Sequence, residues 1–206
     1  MMTGLRAKQK FARNKRILEV ASKLFRKFGY EAVKIEAIAE ASEISVGTIY
    51  NYYKNKGDLL VAIVAMEVHD ILQAGDQLVE HPPKNAVQAV NALVDIYYNH
   101  SLVYLSKDMW RVAMAISTQQ PSSPFGIKYS ALDAALVKQT CALLSKLQTL
   151  GLLKTNTKSQ VIGEVIFNNL NMMFFGFIKD EEMKIQSLRR LVKMHNKVIL
   201  SAAAVD

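Results

Sequence analysis

The sequence predicts an all-α protein, long enough for one large domain or for a small domain fused to a larger one. Three observations carry the all-α prediction. Only four prolines and nine glycines punctuate 206 residues. Apolar residues recur at the 3.6-residue spacing of helices through most of the chain. Nowhere does apolar–polar alternation run long enough for a strand. Half the residues are hydrophobic and 21% are charged, the composition of a folded globular chain and too apolar for a disordered one.

The first helix is expected over about 8–28, with Ile17, Leu18, Ala21, Leu24, Phe25 and Phe28 on one face and Gly29 as its C-terminal stop. A short apolar pattern, Ile35, Ile38 and Ala39, follows. It breaks at Ser42-Glu43-Ile44 before a second short segment over about 45–52, for which Ser45 is a suitable N-cap. Gly57-Asp58 opens a long helix over about 59–80, stopped by Pro82-Pro83. Further helices are expected over about 85–106, 108–119 (with Asp108 as cap), 127–150, 158–178 and 182–203.

Two short helices joined by a tight turn and braced by a longer one make a helix-turn-helix, spanning about 34–53. Ile35, Ile38, Ala39, Ile44 and Ile49 supply a shared core against Leu24, Phe25 and Phe28. With Ile49 turned inward, Gly47, Thr48, Tyr50 and Asn51 face outward. Charge agrees with a polyanionic partner. Residues 1–57 hold 12 of the 26 Lys and Arg but 5 of the 18 Asp and Glu, a net of +7, which leaves +1 for the rest. The leading cations Arg6, Lys8, Lys10, Arg13, Lys15 and Arg16 are either an arm that reaches DNA or a solvated tail.

The run 17–32, Ile-Leu-Glu-Val-Ala-Ser-Lys-Leu-Phe-Arg-Lys-Phe-Gly-Tyr-Glu-Ala, resembles the first helix of Tet-repressor (TetR) family regulators. Ile38-Ala39 also fits, and the run 45–60, Ser-Val-Gly-Thr-Ile-Tyr-Asn-Tyr-Tyr-Lys-Asn-Lys-Gly-Asp-Leu-Leu, fits still better. The resemblance covers about 13–60. It implies that Ser45, Thr48, Tyr50, Tyr52 and Lys56 hold phosphates and that Val46, Gly47, Tyr50 and Asn51 face base edges. Asn51 is the side chain best suited to a bidentate adenine contact, while Val46 can offer only an apolar contact to a thymine methyl. Tyr52 and Tyr53 have core packing as an alternative role. Two positions depart from the family pattern. Lys34 stands where the N-cap hydroxyl of the second helix is usual, and Glu43 stands at the turn position usually held by Gly, where φ > 0 would cost about 1 kcal/mol or more.

The resemblance divides the chain into a DNA-binding domain over 1–56 and an effector-binding and dimerisation domain over 57–206. A dimer would present two reading heads to half-sites about 34–36 Å apart. Val161, Val165, Asn168 and Met172 form one stripe of the penultimate helix, with Ile162, Ile166, Leu170, Met173 and Phe177 beside it; the last two helices are the expected dimer surface, with an intrasubunit core as the alternative. By family analogy, a small apolar or amphipathic effector binds among Tyr97, Tyr104, Trp110, Met114, Phe125 and Tyr129, residues that a plain core explains equally well. No buried acid stands out there; Asp95 shares a face with Asn91 and Asn99.

Other function classes are disfavoured. One cysteine, Cys141, excludes an intrachain disulfide and a cysteine-rich metal site. The four histidines lack metal-ligand spacing or a paired nucleophile, so neither an enzyme nor a metal or other cofactor is expected. The N-terminus is unlike a signal peptide. The apolar stretch 161–178 carries Glu164 and three asparagines, which makes it a poor membrane span and points to a cytoplasmic protein. The expected function is a homodimeric repressor of double-stranded DNA, released by its effector through a pivot of the helix over 59–80. The alternative is a DNA-binding adaptor or nucleoid-associated protein whose body binds another protein.

Overall fold

The computed structural model describes residues 2–201 and Ala203, with the side chains of residues 2, 3, 5 and 6 excepted, so Arg6 lies outside the described residues as a candidate DNA contact. Among the described residues the chain forms nine helices and no extended strand: α1 (Met2–Phe28), α2 (Ile35–Ala41), α3 (Val46–Tyr50), α4 (Lys56–Glu80), α5 (Ala86–His100), α6 (Lys107–Gln119), α7 (Pro124–Thr149), α8 (Ser159–Lys179) and α9 (Ile185–Ser201). They divide into two compact units, Met1–Glu67 with Val103–Tyr129, and Val68–Leu102 with Ser130–Asp206.

Helix ends follow local chemistry. α1 stops where Gly29 adopts φ 84° and its N–H bonds the Phe25 carbonyl at 2.9 Å. α4 begins three residues before the expected Leu59, where Asn55 and Asp58 each accept a backbone N–H of the entry turn. The Asp58 N–H donates to Asn55 Oδ1 at 2.9 Å, and the Lys54 N–H donates to Asp58 Oδ2 at 2.9 Å. α6 is capped by Ser106, which accepts from the Met109 N–H, and not by Asp108; that residue lies in the first turn and pairs with Arg111 at 3.5 Å. α7 starts at Pro124, whose missing N–H costs nothing in a first turn, and ends at Thr149, two residues before Gly151 turns the chain at φ 73°.

In the first unit, Ile17, Leu18, Ala21 and Phe25 of α1 are buried with Ile35, Ile38 and Ala39 of α2 and Ile49 of α3. Phe28 departs from the expected core. It is 56% exposed, Leu24 and Ile44 are half-buried, and Tyr30 fills the place instead with its ring 5.1 Å from Phe25. Gly29 reverses the chain direction, so the periodicity of α1 stops predicting burial one residue before the helix ends. A buried acid organises the rest of the unit. Glu67, 0% exposed, accepts the N–H groups of Val103 at 3.2 Å and Tyr104 at 2.8 Å. From α1, Ser22 Oγ donates to the Tyr104 carbonyl and Arg26 to that of Val103, each at 2.5 Å.

In the second unit, α9 packs against both α5 and α8. Leu188, Val192 and Leu200 supply its buried face. Beside them runs a polar ladder: Arg189 donates to Asn99 at 2.5 Å, Lys193 to Asp95 at 2.6 Å and Asn196 to Asn91 at 3.1 Å. α8 is 21 residues with a mean hydropathy of 1.4, long and apolar enough to cross a bilayer by length and composition. It buries Ile166, Phe167, Leu170, Phe174 and Phe177 inside the unit. Phe177 is therefore corrected as a dimer residue: at 1% exposure, with its ring 5.8 Å from Phe174, it belongs to the protomer's own core.

Candidate nucleic-acid interface

The reading segment is one short helix with a well-made start. The Ser45 side chain accepts the Thr48 N–H at 3.1 Å and bonds the Thr48 hydroxyl at 2.8 Å, so both side chains are set by α3 itself. Ile49, 0% exposed, pins α3 to the core. Its burial turns the opposite face outward: Gly47, Tyr50 and Asn51 are exposed, and Val46, Thr48 and Tyr52 are half-buried. Asn51 is the C-cap residue, so α3 is one turn shorter than the expected segment and Tyr52 lies just past it. Gly47 has open space about it, since a Cβ there would meet nothing nearer than Ser45 Oγ at 3.9 Å. The protein's own packing therefore does not require a glycine at this position.

Both departures from the family pattern have structural consequences. Lys34 occupies the N-cap of α2 in extended conformation without capping it, and leaves its exposed ammonium beside the first turn. Glu43 adopts φ 55°, the left-handed conformation expected where a glycine is usual, and its carboxylate is held by Arg16 at 2.6 Å. That ion pair neutralises an acid next to the reading helix.

The tyrosines separate. Tyr53 is 8% exposed and its hydroxyl donates to Asn14 Oδ1 at 2.6 Å; burial pushes that hydroxyl up to about 12. It is a core residue. Tyr52 keeps its ring at the surface with the Lys10 ammonium 5.9 Å away, a cation–π contact. Lys56 has a different place from the one expected for a phosphate contact. Its ammonium donates to the carbonyls of Tyr30 at 2.8 Å, Glu31 at 3.1 Å and Val33 at 3.5 Å, and lies 4.4 Å from the Tyr30 ring centroid. All three of its donors close the loop between α1 and α2.

The residues expected around an effector fall in both units. Tyr97 belongs to the second, where its hydroxyl bonds Gln139 Oε1 at 3.0 Å. Gln139 in turn donates to the Leu72 carbonyl at 2.8 Å and Asp76 at 2.7 Å. Tyr104, Trp110, Met114, Phe125 and Tyr129 belong to the first unit, where the rings of Phe125 and Tyr129 stack at 6.3 Å. Two acids depart from the expectation that none is buried. Glu67 is one. The other is Asp133, which is half-buried on α7 and whose carboxyl burial pushes up to about 6. Both carry a sequence signal: each sits four residues after a buried position, Ile63 for Glu67 and Tyr129 for Asp133, where the helical stripe calls for an apolar side chain.

On α8, Val161, Val165 and Met172 are 51%, 46% and 67% exposed, Asn168 is exposed and Met173 half-buried. On α9, Met194 and Val198 are 60% and 73% exposed. Asn169 Oδ1 accepts from His195 Nδ1 within the protomer at 3.0 Å.

Residues 17–63 match the model of the bacterial regulatory proteins, tetR family. HTH-type transcriptional regulator YhgD of Bacillus subtilis is 32% identical over 93 residues, 44% of this chain and 49% of that protein. HTH-type transcriptional repressor KstR of Rhodococcus jostii is 42% identical over 71 residues, 34% of this chain and 32% of that protein. The chain thus spans at most about half the length of these relatives. The likeness of fold is wider. Thermus thermophilus FadR, a TetR-family repressor solved with lauroyl-CoA, aligns at TM-score 0.67 and 18% identity over 94% of this chain and 96% of its own. SmeT, the repressor of the Stenotrophomonas maltophilia efflux pump SmeDEF, aligns at TM-score 0.67 and 20% identity over 94% and 91%.

Proposed function

The chain carries the TetR-family N-terminal segment within the TetR-family fold, and from that premise we propose that it is a sequence-specific transcriptional repressor, working as a homodimer and released from its operator by a small molecule. The single observation that carries the DNA reading is the α3 surface. Ile49 is fully buried, while Gly47, Tyr50 and Asn51 project from a Ser45-capped turn on the most basic part of the chain. In this reading, Val46, Gly47, Tyr50 and Asn51 meet base edges, and Ser45, Thr48, Tyr52 and Lys34 lie along the backbone. Lys56 contributes indirectly by bracing the loop ahead of α2.

Residues 1–56 read DNA and residues 57–206 dimerise and sense. Support for the dimer is the exposed apolar surface of α8 and α9 centred on Val165, Met172, Met194 and Val198, the kind of patch that an isologous helix pair covers. Support for an effector comes from the structural neighbours, one solved with lauroyl-CoA and another, SmeT, with triclosan. Within the first unit, the residues Tyr104, Trp110, Met114, Phe125 and Tyr129 suit an apolar or amphipathic molecule of that kind. The protein acts in the cytoplasm, on duplex DNA, without catalysis.

The test of the DNA reading is titration of Tyr50→Phe and Asn51→Ala against a duplex selected by the wild type. Losing one base contact costs about 1–3 kcal/mol, a five- to 150-fold weakening, and relaxes preference at one position of each half-site. Wild-type affinity and preference in both variants would overturn the assignment.

A further inference from the structure

The segment before the family match is the most basic part of the chain. Residues 6–16 hold Arg6, Lys8, Lys10, Arg13, Lys15 and Arg16 with no acid, and the family match begins only at residue 17. The segment continues α1 as helix, and three contacts tie it to the reading segment. Asn14 accepts from the Tyr53 hydroxyl at 2.6 Å, Lys10 lies 5.9 Å from the Tyr52 ring centroid, and Arg16 pairs with Glu43 at 2.6 Å.

Helical geometry sorts these cations into two flanks. At about 100° per residue, Lys10 lies beside Asn14, and Arg13 and Arg16 each step about 60° further round the helix, away from Asn14 and toward the turn that holds Glu43. Lys8 and Lys15 fall on the opposite flank, where Lys15 approaches Glu19 at 3.9 Å. On the near flank, Arg13 and Arg16 line an open hollow of about 370 Å³ with Ser42, Glu43 and Ile44, the residues leading into α3. Arg16 is neutralised there by Glu43. Lys10 and Arg13 have no acidic partner among the described residues.

We propose that Lys10 and Arg13 are phosphate-binding residues of the DNA interface, so that the N-terminal half of α1 extends the footprint beyond the helix-turn-helix. This rests on the DNA reading above. Tyr52 follows Tyr50 and Asn51 directly, so a duplex seated on that face brings its backbone past the ammonium that Tyr52 holds. Arg13 lies one turn further along the same flank, toward the start of α3. Its planar fork suits a phosphate oxygen pair. The contact carries affinity without sequence information.

Counterion release makes this measurable. Each phosphate neutralised adds about 0.9 to the magnitude of the slope of log affinity against log salt. Two contacts contribute about 1.8 per head and about 3.6 for a pair of heads. The experiment uses the full chain and a duplex that the wild type selects from random sequence, titrated from about 50 to 200 mM KCl. K10A/R13A should lower the slope by those amounts, leave the ranking of single-base variants of the duplex unchanged, and keep the wild-type melting temperature. K10R/R13K should retain the slope. K8A/K15A removes the same net charge from the far flank and should lower the slope by much less, because screening weakens charges that touch no phosphate. Equal losses in the two alanine variants, or none in either, would overturn the proposal while leaving DNA binding intact. A wild type that selects no sequence would overturn the reading beneath it.

Discussion

Gly47→Ala separates what the protein needs at the start of α3 from what DNA needs. The added methyl has room, because the nearest atom is Ser45 Oγ at 3.9 Å, and the glycine is helical, with no positive φ for alanine to resist. Replacing glycine by alanine in a helix stabilises by about 0.5–1 kcal/mol. For a chain of this size that is a rise of about 1–4 °C in melting temperature. If the α3 backbone lies against base edges, the same methyl stands in the contact. Displacing the helix by part of a methyl diameter disturbs at least one bidentate pair, worth about 1–3 kcal/mol. The variant should therefore melt at or above the wild type and bind the selected duplex at least about fivefold more weakly. Scanning calorimetry and fluorescence anisotropy on the same preparation measure both. Binding within twofold of the wild type with raised stability would refute the claim that this face meets DNA. A fall in stability would refute the packing argument itself.

Lys56→Ala should act on stability before it acts on DNA. It removes three hydrogen bonds to the carbonyls of Tyr30, Glu31 and Val33 and a contact with the Tyr30 ring, at a cost of about 1–3 kcal/mol readable by urea titration; unchanged stability with weakened binding would restore it as a phosphate ligand. Asp133 makes stability pH-dependent with a definite sign. Burial raises its folded carboxyl to about 6 from 3.8, so the folded state holds the proton more tightly and loses stability as pH rises from about 4 to 6. Asp133→Asn should remove that dependence and gain about 2–3 kcal/mol over the wild type at pH 7.5, with little difference at pH 4; parallel pH–stability curves for the two proteins would contradict it. Met172→Glu with Val198→Glu, each on an exposed apolar face, should convert a dimer to a monomer in sedimentation, whereas an unchanged mass would place the dimer surface elsewhere.

Much of the reading head was legible because single residues decide it. Ser45 caps α3, Gly29 ends α1, and Glu43 takes the left-handed conformation, each following from local backbone chemistry. What escaped depends on where the chain goes next. Phe28 belongs to the apolar stripe of α1, yet the turn at Gly29 carries Tyr30 into the core instead. Lys56 fits a phosphate-binding pattern by spacing alone, but the carbonyls it satisfies are those of a loop 23 to 26 residues earlier in the chain. Glu67 reads as an interruption of the α4 stripe until the amides of Val103 and Tyr104 are brought to it. The sensing residues were the least legible, since Met and aromatic side chains have the same sequence signature in a core and in a ligand site.

The account rests on the claim that α3 reads sequence on duplex DNA. In vitro selection of random duplexes by the purified full chain tests it most directly. The prediction is a pseudo-palindrome whose half-sites lie about 34–36 Å apart, or a multiple of that helical repeat, with binding to single-base variants ranked by position. Retention of DNA with no enriched motif, or of no DNA at low salt, would contradict it.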